Sequence, residues 1–112
     1  MPHLIIEYSK NLEPDIQLRA LMEDLHAALG EAETVDPNRI KSRAIAYDHV
    51  MVGTDNQSNK MVHVAVLMLD GRPLALQQSI SAKLHTIAKN SVDADISVTV
   101  EYREMDAKTY QK

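Results

Sequence analysis

The chain has 112 residues, of which 45% are hydrophobic and 25% charged, with three glycines, four prolines and no cysteine. That is enough for one domain with a small core, and it excludes a disordered or low-complexity segment, a disulfide framework, a cysteine nucleophile and a zinc–thiolate site. Sixteen acidic against twelve basic residues give a formal charge of −4, which argues against nucleic acid as a partner because phosphate binding needs surplus cations.

The start, Met1-Pro2-His3-Leu4, lacks the positive flank and apolar run of a secretory leader, and no stretch is long enough to span a membrane. The expected location is the cytoplasm, with no membrane partner. His3 to Tyr8 is rich in β-formers and ends at the polar Ser9-Lys10-Asn11, which predicts a first strand. From Pro14, the apolar Leu18, Leu21, Met22, Leu25, Ala28 and Leu29 form the stripe of an amphipathic helix. Pro14-Asp15 suits its first turn and Gly30 its end. Ile40 to Tyr47 alternates Ile40, Ser42, Ala44 and Ala46 against Lys41, Arg43, Ile45 and Tyr47, a strand with one partly charged face. Its continuation through His49-Val50-Met51-Val52 stays open.

Gly53 to Lys60 is a polar connector between two halves. It holds the glycosylation sequon Asn56-Gln57-Ser58, which reads as ordinary loop without a secretory leader. Val62 to Leu69 is apolar on both faces apart from His63, as a central strand would be. Asp70-Gly71-Arg72-Pro73 turns the chain. A second helix carries Leu76, Ile80, Leu84, Ile87 and Ala88 on one side, and Ile96, Val98, Val100 and Tyr102 alternate along a last strand. The tail from Met105 is polar and has no assigned structure.

The order strand, helix, strand occurs twice. A shift of 59 places superposes Pro14 on Pro73 and Leu25-His26 on Leu84-His85, so residues 1–52 and 61–104 read as pseudo-repeats within a single domain, residues 1–112. Each half is a βαβ unit, and the expected fold class is α/β in the α+β two-layer sense: a four-stranded mixed sheet with two helices on one face. The strands are too apolar to leave the other face wet, which predicts an oligomer in which the open faces of several sheets pack together.

Proline in the second position favours removal of Met1, after which Pro2 would carry a free secondary amine. Such a group titrates near pH 8, and burial or nearby cations lower it, so that it can act as a general base at neutral pH. A retained Met1 would acylate the nitrogen and remove its basic lone pair.

Three segments carry a family resemblance. Met1-Pro2-His3-Leu4-Ile5-Ile6-Glu7-Tyr8-Ser9-Lys10-Asn11 resembles the opening of the 5-carboxymethyl-2-hydroxymuconate isomerases, a branch of the tautomerase superfamily that uses an amino-terminal proline. Ile40-Lys41-Ser42-Arg43 resembles that family's basic strand, and Val62-His63-Val64 followed by Gly71-Arg72 resembles the start of its second repeat. The resemblance implies a trimeric tautomerase-like assembly of duplicated βαβ units and a cofactor-free isomerisation of an unsaturated hydroxy or keto dicarboxylate from aromatic-compound breakdown. Carried over by position, Pro2 is the base, Arg72 the cation of the second repeat, and Lys41 with Arg43 the cations of the other strand. Lys41 and Arg43 stand two apart on a strand and so share a face. The family has arginine at both places; Lys41 departs from it, giving a point charge in place of a planar fork. Two alternatives are a non-catalytic trimeric scaffold that binds a small acid or a protein, and an isomerase of another enol or a haloacrylate acid.

The other polar residues carry less. His63 reads as a core or interface histidine with a bonded ring, and His26 and His85 as helix residues that pack or face solvent. His3 is close enough to the chain start to influence its titration. Glu7 is a partner for a basic side chain or an exposed strand residue. No metal spacing, phosphate-cradling glycine loop or nucleophile elbow is present in the sequence, so neither a metal nor a nucleotide cofactor is expected. The six methionines are scattered and read as gap fillers.

Overall fold

A computed structural model describes residues 1–54 and 59–112. The Asn56-Gln57-Ser58 sequon lies outside the described residues. Six regular elements follow in order: β1 (His3–Ser9), α1 (Leu18–Gly30), β2 (Lys41–Tyr47), β3 (Met61–Leu69), α2 (Leu74–Asn90) and β4 (Ser97–Met105). The sheet order is β2-β1-β3-β4. β1 runs parallel to β2, β3 runs parallel to β4, and the two pairs join antiparallel between β1 and β3. Among the described residues, no helix is long and apolar enough to cross a membrane.

Strand alternation decides which face the helices cover. Leu4, Ile6 and Tyr8 of β1, Val62, Val64, Val66 and Met68 of β3, and Val98 of β4 are buried in one cluster with Leu21, Leu25 and Leu29 of α1 and Ile80, Leu84 and Ala88 of α2. Both helices therefore lie on one side of the sheet, each fully buried aliphatic side chain contributing about 1.5–3 kcal/mol. Ser9 is the buried polar residue that closes β1. Its Oγ accepts from Met61 N at 2.7 Å and donates to Met61 O at 3.3 Å, pinning the end of β1 to the start of β3.

The first helix begins later than the pattern predicts. Pro14 lies inside a 3-10 helix, Lys10–Asp15, and α1 starts at Leu18. Ile16 is the reason: it precedes Leu18 by two residues, so a helical backbone would turn it away from the stripe. In an extended conformation, with φ −125° and ψ 151°, it reaches the core and is 7% exposed.

β2 does not continue through His49–Val52, because its last partner is Ser9, after which β1 turns into the 3-10 helix. Ile40 is not in the strand; it ends a second 3-10 helix, Pro37–Arg39, and is itself buried. β4 runs on to Met105, because β3 supplies partners as far as Leu69. The turn before α2 needs Gly71, whose φ of +108° lies where side-chain-bearing residues are strained.

The sheet face away from the helices, expected to be too apolar to stay wet, mixes apolar and charged side chains. The register puts His3, Glu7, Lys41, Arg43, Tyr47, His63, Glu101 and Arg103 on it, among Ile5, Ile45, Leu67 and Leu69. The polar groups pair with each other: the Tyr47 hydroxyl donates to Glu7, His63 bonds Thr99 at 2.7 Å and Glu101 at 2.5 Å, and Arg103 donates to both Glu101 oxygens at 2.7 and 3.1 Å. Those donors, Arg103 first and His63 second, hold the Glu101 carboxyl down at about 2.

Candidate functional site

Cations gather at the start of the chain. Pro2 is buried, and its carbonyl accepts from Lys41 N at 3.0 Å, which extends the parallel pairing of β1 and β2 by one bond. The Lys41 side chain falls on the same face as His3. The amine of Met1 is pushed below its ordinary range by burial first, then by the charges of Lys112, Arg72, Arg39 and Lys41. Three stretches of chain, around residues 39–41, 72 and 112, thus bring positive charge to bear on that amine.

Arg72 is held from the turn ahead of α2. Its Nε donates to Thr34 Oγ1 at 2.9 Å, its Nη2 to Thr34 O at 3.1 Å and its Nη1 to Leu69 O at 3.2 Å. Thr34 offers both of its oxygens from a left-handed backbone, φ +67°, a strained state for a β-branched residue. Nearby, the hydroxyl of Tyr102 is buried without a hydrogen-bond partner among the described residues. Burial raises its pKa, and the charge of Arg72 opposes that rise.

Arg43 takes a different place from the other two predicted cations. Its Nη1 lies 3.1 Å from His3 Nδ1, and it is not among the charges that act on the Met1 amine. A guanidinium only donates, so Nδ1 must accept and the imidazole carries its proton on Nε2. Nε2–H then donates to the hydroxyl of Tyr110 at 2.7 Å, while the two rings meet edge to face at 5.9 Å. His3 is held below its ordinary range by burial, then by Arg43, Lys41 and the chain start. It is neutral at neutral pH.

The charges of Lys41 and Arg72 thus act on the amine of Met1, next to Pro2, while Arg43 lies against His3. Sequence reasoning missed Arg39, Thr34, Tyr110 and Lys112. The last two come from the tail, where Asp106 accepts from the backbone of Lys108, Thr109 and Tyr110 and so turns the chain back over His3. Tyr110 stands 107 positions from its partner, and no periodicity reports such a contact. Glu7 does have a partner, the hydroxyl of Tyr47, where a basic side chain was one expectation. His26 bonds Ser42 Oγ at 2.6 Å and His85 bonds Val98 O at 3.2 Å; both tie a helix to the strand that follows it.

Comparison with known proteins gives one family and one fold. The family model described as 5-carboxymethyl-2-hydroxymuconate isomerase matches residues 2–112. No curated protein matches the chain. Among solved structures, a 5-carboxymethyl-2-hydroxymuconate isomerase from Deinococcus radiodurans R1 superposes with a TM-score of 0.87 at 20% identity, over 99% of this chain and 87% of that one. A 5-carboxymethyl-2-hydroxymuconate delta-isomerase gives 0.79 at 21% identity, over 100% and 87%. A fused 4-OT described as a wild-type symmetric trimer gives 0.76 at 18% identity, over 98% and 90%.

Proposed function

The chain belongs to the 5-carboxymethyl-2-hydroxymuconate isomerase family, and from that premise we propose that it moves a proton along an unsaturated hydroxy or keto dicarboxylate, with the amine of Pro2 as general base. The neutral nitrogen takes a proton from the hydroxyl of a dienol, or from a carbon beside the conjugated system of the keto form. The electron pair spreads into a dienolate, and the same proton returns to another carbon. Nothing is gained or lost overall, so the step needs no redox partner. Lys41 and Arg72 oppose the negative charge that develops, and Arg43 helps to hold a carboxylate.

The observation that supports this reading most directly is the set of cations at the chain start, where Lys112, Arg72, Arg39 and Lys41 all favour an unprotonated amine on Met1, the residue next to Pro2. A base needs a low affinity for its proton before the reaction, and a dianionic substrate needs cations; one cluster meets both needs. The assembly in this reading is a homotrimer. It is supported by the likeness to the fused 4-OT symmetric trimer and by the Ile5, Ile45, Leu67 and Leu69 side chains on the uncovered sheet face.

The test uses the protein from its own host, with intact mass showing whether Met1 is gone, and a 2-hydroxymuconate dienol as substrate. Pro2→Ala with a free amine is expected to lose about a hundredfold in kcat, the low end of what a positioned base supplies. Turnover equal to the unaltered protein, or a mass that includes Met1 in a fully active sample, would overturn the assignment.

A further inference from the structure

Arg39 lies in the short 3-10 helix Pro37–Arg39, just ahead of β2, and its guanidinium is braced along one edge. Asp36 caps that helix, its Oδ1 accepting from Asn38 N at 3.0 Å, while its Oδ2 lies 3.4 Å from Arg39 Nε. The backbone of Arg39 also donates to Asp36 O at 3.0 Å. Pro37 fixes the first turn, and the buried Ile40 anchors the residue that follows. The opposite edge of the guanidinium faces the chain start, where Nη1 donates to the thioether of Met1 at 3.8 Å.

A thioether is a weak acceptor, and a carboxylate in its place would form a charge-assisted bond roughly twice as strong as a neutral one. Met1 therefore occupies, with a poor partner, a position built for a better one. Its removal exposes the Pro2 amine and frees this edge of Arg39 together. We propose that Arg39 is a ligand-binding residue of the site, gripping one carboxylate of a dicarboxylate and supplying the planar fork that Lys41, a point charge two residues on, does not have. This rests on the isomerase reading above and adds a specificity element to it: selection of two-carboxylate substrates over one-carboxylate analogues.

Binding and turnover are measured separately on protein lacking Met1. Adipate serves as an unreactive dicarboxylate probe and hexanoate as its one-carboxylate counterpart, each titrated by NMR; the 2-hydroxymuconate dienol reports turnover. Arg39→Ala is expected to weaken adipate about tenfold, to leave hexanoate unchanged, and to raise KM by a larger factor than it lowers kcat. Arg39→Lys should recover only part of the adipate affinity. Because Arg39 is half exposed and removed from the core, both variants are expected to unfold at the temperature of the parent. Adipate affinity equal in Arg39→Ala and parent, or no adipate binding by the parent, overturns the inference. If adipate binds as expected but no protein turns over the dienol, Arg39 keeps its assignment and the isomerase reading fails.

Discussion

The carbonyl of Pro2 accepts a hydrogen bond from the backbone N–H of Lys41 at 3.0 Å. The proposed base and its nearest strand cation are thus fixed to each other by main chain, while the lysine side chain is free to act on charge. Replacing that side chain separates the two roles. Lys41→Ala is expected to leave the unfolding midpoint nearly unchanged, as exposed substitutions do, and to lower kcat/KM about tenfold or more for a dianionic dienol. Thermal unfolding alongside steady-state kinetics checks both halves.

Thr34 is predicted to matter through Arg72. Thr34→Val keeps the shape and the carbonyl but deletes the hydroxyl that accepts from Arg72 Nε. One of three tethers goes, so kcat should fall several-fold, less than in Arg72→Ala, with KM for a monocarboxylate unaffected. An equal loss in the two variants would mean that Thr34 acts on more than the guanidinium.

His3 gives a pH prediction. Burial, Arg43 and Lys41 lower its pKa below 6.5 in the folded chain. Below pH 6.5 the unfolded chain takes up a proton that the folded one refuses, so this group removes stability as pH falls from 6.5 through the folded midpoint and contributes nothing above it. An NMR titration should place the His3 midpoint below 6.5, and Arg43→Ala should raise it.

Glu101 acts at lower pH and in the usual carboxylate sense. Arg103 and His63 hold its carboxyl at about 2, against 4.5 unperturbed. The stability it contributes is complete above 4.5 and is lost as pH falls from there to about 2. Denaturant melts across that window should show the loss in the parent and a shallower one in Glu101→Gln.

Packing gives the largest effect on stability. Leu25 is fully buried between α1 and the sheet. Leu25→Ala should cost about 2–5 kcal/mol in a denaturant melt, the range for a buried leucine that leaves a cavity.

The sequence makes the periodic part of this molecule legible. Leu21, Leu25 and Leu29 repeat at helical spacing, and Lys41 and Arg43 alternate with Ser42, so the stripe of α1 and the charged face of β2 are visible without coordinates. Ile16 is where periodicity misleads, because proline and acid just before it look like a helix start while the core pulls it extended. The candidate site is legible as far as its strand and turn residues. Pro2, Lys41, Arg43 and Arg72 come from the family's pattern of positions; Arg39, Tyr110 and Lys112 depend on a 3-10 helix and a folded-back tail that have no repeat to announce them. The open face misleads for another reason. Composition counts its apolar residues but not the pairing of Glu101 with His63 and Arg103.

The bond from His3 to Tyr110 joins positions 107 residues apart. During synthesis the ribosome delivers His3 well before Tyr110, so the surroundings of His3 are completed only after β4 has emerged. A nascent chain that has not yet reached Tyr110 leaves His3 Nε2 without that acceptor.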